Sequence, residues 1–153
     1  MAGIDYPRLR VAYGQLTTSQ VNTGTVVIDM SSISPSATRR LAALVAARGG
    51  TMLDAPVSGG EIGAVNATLS IMVGGDAATY ATAEPVLKIY AKAITLIGAA
   101  GAGQLTKMVN QICIAGLVQG LSEAMNFAVK AGLDTEKVLS VITAGAAGSW
   151  QMN

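Results

Sequence analysis

The chain has 153 residues, of which 51% are hydrophobic and 12% charged, with Lys+Arg 10 against Asp+Glu 9. This balance leaves no basic excess for nucleic acid, and the absence of histidine excludes a Ser-His-Asp triad and a His-ligated metal. The single cysteine, Cys113, excludes an internal disulfide and a cysteine cluster for zinc, so we expect no metal. No uninterrupted apolar run reaches the length of a membrane span, and residues 1–20 lack a signal-peptide core. We therefore expect a cytoplasmic protein with no membrane partner.

The first part of the chain alternates between β-branched runs and helical periodicity. Residues 1–24 carry weak signals, and we interpret them as irregular. The alternation after them is typical of a parallel sheet with right-handed crossovers, here about half of a larger doubly wound sheet. Ser34 and Asp76 are placed to cap two helices. We predict strands over residues 25–30, 51–57, 68–73 and 93–97, and helices over 35–48 and 76–92.

The second part of the chain is helical. A glycine-rich turn at 98–103 opens one long predicted helix over 102–131, which Gly132 ends. A further helix begins at Asp134 and runs to 144. We therefore divide the chain near residue 98 into an α/β part and an all-helical part.

The long helix is apolar around most of its circumference, which is typical of a buried helix. Lys107 and Asn110 do not follow this pattern, and their spacing of three places them on one face, with Gln104 and Gln111 beside them. Burial disfavours the charged form of a lysine, so a lysine there can exchange protons near neutral pH. The alternative is a surface lysine on an unburied stripe, which is the more common case when spacing alone is considered.

Two glycine-rich segments are candidates for anion binding. Gly59 and Gly60 follow a predicted strand and offer backbone N–H groups, with the hydroxyl of Ser58 beside them. By themselves these residues favour a simple tight turn. The segment 98–103 lacks the ending of a P-loop, and Thr106 stands where GxGxxG has its third glycine, so we reject a phosphate loop there.

Four motifs together carry a family resemblance. They are Ile28–Pro35 (IDMSSISP), Asp54–Gly60 (DAPVSGG), Met72–Asp76 (MVGGD) and Gly98–Gln111, which contains GxxGxGxxxKxxNQ. In this order and spacing, over residues 23–153, the chain resembles the β-hydroxyacid dehydrogenases, especially 3-hydroxyisobutyrate dehydrogenases and tartronate semialdehyde reductases. The resemblance implies an α/β fold, with the C-terminal part of a Rossmann-like dinucleotide-binding sheet over 1–98. The first long helices of an all-α, 6-phosphogluconate dehydrogenase-like substrate and dimerisation domain would follow over 99–153.

The same resemblance implies an oxidoreductase that moves hydride between NAD or NADP and a small β-hydroxyacid or its semialdehyde. It also implies a homo-oligomer. The implied site residues are Lys107 as general acid/base, Asn110, Ser58, Gly59 and Gly60 for the substrate, and Ser32 for the cofactor.

Two departures from the family pattern affect this expectation. Family members begin with a strand and a GxGxxG motif for the pyrophosphate, and nothing before residue 25 provides one, so we interpret residues 1–22 as an unmatched leader. The chain also stops inside a predicted helix. We therefore expect a middle fragment that binds dinucleotide poorly and shows no turnover alone. A non-catalytic fragment and a helix-mediated oligomerisation module are the alternatives. Asp29 and Asp54, at strand ends, are interpreted as structural, satisfying local backbone N–H groups.

Overall fold

The computed structural model describes residues 20–152 and, by their backbone alone, residues 9–12. It divides the chain into two compact units, residues 1–109 and 110–153. The domain boundary expected near residue 98 stays a prediction.

Strands and interposed helices make up the first unit. The strands are β1 (Leu9–Ala12), β2 (Val26–Asp29), β3 (Thr51–Asp54), β4 (Val57–Ser58), β5 (Leu69–Gly74) and β6 (Ala91–Gly98). The helices are α1 (Pro35–Ala46), α2 (Gly60–Val65) and α3 (Ala77–Leu87), and α4 (Ala102–Lys130) begins in this unit. Helix α5 (Thr135–Thr143) and a 3-10 turn (Trp150–Met152) lie in the second unit. Each predicted strand and each predicted helix before residue 145 is present, although α3 ends earlier than 92.

The first strand corrects the interpretation of residues 1–24 as irregular. Residues 9–12 form β1, which runs parallel to β2 with Leu9 opposite Val26 and Ala12 opposite Asp29. A segment of four residues is too short to carry much local strand signal, so pairing with β2 decides its structure. Residues 1–8 and 13–19, on which the same interpretation also falls, lie outside the described residues.

The sheet is mixed, whereas the sequence pattern favoured a parallel one. β1, β2 and β3 are mutually parallel, and β5 is parallel to β6. β3 and β4 both run antiparallel to β5 in one continuous register, interrupted at Pro56, which has no N–H to donate. Residues 59–68 connect β4 to β5, and a parallel crossover needs a dozen residues or more. The short connection therefore accounts for the antiparallel turn.

Both faces of the sheet are covered by helices. Ile28 and Leu53 lie in the larger hydrophobic cluster with Leu87 of α3, and Val27 and Met52 lie in the second cluster with α1. Successive strand residues point to opposite faces, so the two clusters lie on opposite sides of the sheet. This three-layer arrangement confirms the predicted α/β fold class.

The predicted helix caps of the first unit are also confirmed. The hydroxyl of Ser34 accepts a hydrogen bond from the Ala37 N–H at 3.1 Å. The carboxylate of Asp76 accepts from the N–H groups of Ala78 and Thr79 at 2.8 and 3.2 Å. Hydrogen bonds from the Thr79 hydroxyl and N–H lower the pKa of Asp76, because they favour its charged form.

In the second unit the chain turns between α4 and α5. Gly132 adopts a positive φ of 70°, a conformation that a glycine takes without steric cost at a helix end. Asp134 caps α5, accepting from the N–H groups of Glu136 and Lys137 at 3.1 and 3.2 Å. Its hydrogen bonds with Lys137 lower the pKa of Asp134. The predicted roles of Gly132 as the end of α4 and of Asp134 as the cap of α5 are both confirmed.

Burial of the long helix is where the structure departs most from expectation. Val109 is 60% exposed and Ile112 is 71% exposed, although an all-apolar helix was expected to be buried. Periodicity reports what a helix can bury, whereas burial itself requires partners on every side. By length and composition, helix α4 could cross a membrane. One such helix is weak evidence for a membrane span, because the core helix of a soluble protein meets the same criterion.

Candidate functional site

The start of α4 is held to the sheet by Asp54. This residue ends strand β3, and its side chain is 1% exposed. One carboxylate oxygen accepts from the Gly101 N–H at 2.8 Å and the other from the Gln104 N–H at 2.9 Å. The first N–H groups of a helix lack partners within it, and the positive end of the helix dipole favours a carboxylate. Asp54 therefore caps α4 from another element of the fold.

The structural interpretation of the two strand-end aspartates is thus confirmed, with one difference. Asp29 accepts locally, from the N–H of Ser31 at 3.0 Å and from the hydroxyl of the same residue. Asp54 instead bonds groups that lie 47 and 50 residues further along the chain. Only Asp54 therefore joins two distant elements.

Two glycines let α4 approach the sheet closely. A Cβ on Gly103 would clash with the carbonyl oxygen of Met72 and lie 2.8 Å from a carboxylate oxygen of Asp54. A Cβ on Gly74 would lie 2.5 Å from the other oxygen of the same carboxylate. Because glycine has no Cβ, the first turn of α4 can pack directly on the ends of β3 and β5. Close packing therefore accounts for Gly103 in the glycine-rich turn.

The side chain of Gln104 joins α4 to the loop between β2 and α1. It is 1% exposed, its Nε2 donates to the carbonyl oxygen of Ser31 at 2.7 Å, and its Oε1 accepts from the Ile33 N–H at 3.2 Å. These two groups flank Ser32, which is exposed. Sequence reasoning noted Gln104 only as a neighbour of Lys107. Its partners lie more than 70 residues away, so no local signal could identify them.

Lys107 lies on α4 one turn after Gln104. It is partly exposed, which differs from the buried setting expected for this helix. Among the described residues, no carboxylate lies within ion-pair distance of it. Asn110 follows on the same helix, where its amide donates to Oε1 of Gln111 at 2.9 Å. Lys107 therefore has no fixed acidic partner in the described part of the chain.

The segment Ser58–Gly60 ends β4 and begins α2, a short helix that sequence reasoning did not predict. Ser58 is half-buried and lies opposite Ser70 of β5. Gly59 is the N-cap of α2 with φ 130° and makes no side-chain cap, while Gly60 has φ 62° and open space around its Cβ position. No hydrogen bond among the described residues joins this segment to Lys107 or Ser32. The structure thus brings the Ser32 loop to the base of the lysine helix, and no hydrogen bond among the described residues joins either of them to Ser58–Gly60.

Two family models match successive parts of the chain. The NAD binding domain of 6-phosphogluconate dehydrogenase matches residues 10–98. The NAD-binding domain of NADP-dependent 3-hydroxyisobutyrate dehydrogenase matches residues 101–153. The first match takes in residues 10–22, which the motifs of the sequence left outside the resemblance.

Relatives and solved structures agree with these matches. The chain is 50% identical over 126 residues to 2-hydroxy-3-oxopropionate reductase of Escherichia coli, covering 82% of this chain and 43% of that protein. It is 41% identical over 139 residues to the mitochondrial 3-hydroxyisobutyrate dehydrogenase of Drosophila melanogaster, covering 91% and 43%. The structure of Mycobacterium tuberculosis 3-hydroxyisobutyrate dehydrogenase with L-serine superposes with a TM-score of 0.78 at 41% identity, covering 87% and 46%. The chain spans less than half the length of these relatives. By sequence and by fold, the chain belongs to the β-hydroxyacid dehydrogenase family.

Proposed function

We propose that this chain carries the acid/base residue of an oxidoreductase that acts on a small β-hydroxyacid or its semialdehyde with NAD or NADP. The observation that carries the proposal is the anchoring of α4. Asp54 and Gln104 hold the helix turn before Lys107 against the sheet and the Ser32 loop. Membership of the family supports the class of cofactor and substrate.

In this proposal Lys107 moves the proton. Its Nζ takes the hydroxyl proton when the hydroxyacid is oxidised and returns it when the carbonyl is reduced. Asn110 donates a hydrogen bond to the substrate. The Ser58 hydroxyl, with the N–H groups of Gly59 and Gly60, binds the substrate carboxylate. The bound nicotinamide supplies the hydride chemistry.

The described residues fit the nicotinamide end of such a cofactor. Gln104 occupies the carbonyl of Ser31 and the N–H of Ile33, and Ser32 between them is exposed, so its hydroxyl is available to a cofactor. The sequence contains no GxGxxG motif for a pyrophosphate. We therefore propose that the 153-residue chain alone binds dinucleotide weakly and does not turn over.

A chimeric enzyme tests the proposed role of Lys107. The 126 matched residues of the Escherichia coli reductase are replaced by those of this chain, and NADH- and NADPH-dependent reduction of 2-hydroxy-3-oxopropionate is measured. We expect activity in the chimera and a loss of about 10²- to 10⁴-fold in kcat for Lys107→Met, the usual contribution of a general acid/base. Lys130→Met, on the same helix, is the matched control and should keep the rate. A folded Lys107→Met chimera with the parental kcat would refute the proposal.

Binding to the isolated chain is a separate measurement. NADPH and NADH are titrated into the purified chain and nicotinamide fluorescence is followed, with and without glycerate. We expect no saturation up to millimolar cofactor. Saturable binding in the micromolar range would show that the chain builds a cofactor site without the GxGxxG motif.

The exposure of α4 favours a second candidate, helix-mediated association of copies of this chain. Val109, Ile112 and Val118 are exposed on the helix. Burying them between copies would remove apolar surface from water. Sedimentation of the chain and of Ile112→Lys tests this, and a monomer at all concentrations would exclude it. A cytoplasmic location stays a prediction, since one of the named relatives is a mitochondrial protein.

A further inference from the structure

Gln104 is a buried amide on a helix whose later turns are largely exposed. Both ends of its side-chain amide are used, the nitrogen as donor to Ser31 and the oxygen as acceptor from Ile33. In a parallel ladder one residue likewise uses its N–H and its C=O to bond the residues on either side of the one opposite. The residue opposite here is Ser32. The two hydrogen bonds therefore fix the backbone on both sides of Ser32, as an adjacent parallel strand would.

The backbone of Gln104 is attached to a second element of the fold. The Gln104 N–H donates to Asp54 at 2.9 Å, so one residue of α4 is attached to the end of β3 and to the loop after β2. Lys107 follows one turn later on the same rigid helix. Three of the hydrogen bonds that fix the distance of Lys107 from Ser32 converge on Gln104.

We propose that Gln104 is a positioning residue that fixes the positions of Ser32 and Lys107 relative to each other for the reaction. This inference rests on the proposed function, in which Ser32 contacts the cofactor and Lys107 moves the proton. A purely space-filling role for Gln104 would be met equally well by leucine, which has a similar volume. Leucine would leave the Ser31 carbonyl and the Ile33 N–H without their present partner.

The first test is hydrogen exchange of the Ile33 amide in the 153-residue chain. Gln104→Leu should raise its exchange rate about tenfold or more, because its hydrogen-bond acceptor is lost. Gln104→Glu keeps the side-chain length and the oxygen that accepts from Ile33, so it should retain more of the protection. Gln119→Leu, an exposed glutamine on the same helix, is the matched control and should leave the rate unchanged. Equal Ile33 exchange in the Leu variant and the parent would overturn the inference.

The second test uses the chimera with the Escherichia coli reductase. Gln104→Leu should lower kcat about 10- to 100-fold through misplacement of the reacting groups. The KM for 2-hydroxy-3-oxopropionate, whose carboxylate we assign to Ser58–Gly60, should change by less than about threefold. Gln104→Glu should lose less in kcat than the leucine variant, a graded response that space filling does not predict.

The outcomes separate the two claims. If Lys107→Met abolishes turnover while Gln104→Leu keeps the parental kcat, the proposed function stands and the positioning role of Gln104 is wrong. If Lys107→Met keeps the parental rate, the proposed function itself is wrong, whatever Gln104→Leu does. Loss of Ile33 protection together with a fall in kcat and an unchanged KM supports the inference.

Discussion

Replacing Asp54 by asparagine tests how strongly the first turn of α4 is held to the sheet. Both carboxylate oxygens are in use, one for the Gly101 N–H and one for the Gln104 N–H, at 2.8 and 2.9 Å. An asparagine has one oxygen, and its NH₂ group would face one of these N–H donors. One hydrogen bond is therefore lost, and two donors are left facing each other in a buried site.

The expected cost follows from these contacts. A hydrogen bond to a charged group contributes about 1.5–3 kcal/mol, and a buried donor without a partner costs about 1–3 kcal/mol. Because the two penalties overlap at the same N–H, we expect the free energy of unfolding to fall by about 3 kcal/mol. In a chain of this length that is about 6–12 °C in Tm.

Asp29→Asn is the matched control. Asp29 is also a buried strand-end aspartate, 8% exposed, but it accepts both of its hydrogen bonds through Oδ1 alone. Asparagine keeps that oxygen, so its cost should stay below about 1 kcal/mol. Urea unfolding of the parent and both variants, followed by circular dichroism, measures the difference. If the two variants unfold within about 0.5 kcal/mol of each other, the capping argument for Asp54 is refuted.

The remaining predictions concern a pair of glycines and a helix cap. Gly103→Ala should destabilise the chain by more than about 2 kcal/mol, because its methyl group would clash with the Met72 carbonyl. Gly116→Ala, in open space on the same helix, should stabilise it by about 0.5–1 kcal/mol, and the reverse order in urea unfolding would contradict the packing argument. Asp76→Ala should cost about 1 kcal/mol at pH 7 through loss of the α3 cap. Since hydrogen bonds from Thr79 lower the pKa of Asp76 when folded, this stabilisation is present above its unfolded pKa of about 3.9 and is lost as the pH falls through the lower folded value. Unfolding at several pH values checks it, and a difference from the parent that does not begin to shrink as the pH is lowered below about 3.9 would contradict it.

Local chemistry is what the sequence made predictable. Ser34, Asp76 and Asp134 act as helix caps because a short polar side chain needs only the N–H groups two or three residues ahead. Gly132 ends α4 because its backbone tolerates a positive φ. The strand and helix periods, and the four family motifs, likewise depend on residues close together in the chain. The α/β class and the family were therefore within reach of the sequence.

Long-range pairing is what only the tertiary structure decided. β1 is a strand because β2 lies beside it, and α4 is exposed because the described residues do not surround it. The pairing of β5 with β3, β4 and β6 likewise joins separate segments of the chain. Asp54 and Gln104 were visible as residue types, but their partners are about 50 and 70 residues away. Sequence patterns report the preferences of a segment, whereas hydrogen bonds between distant segments exist only once the chain has folded. Those bonds set where Lys107 stands relative to Ser32.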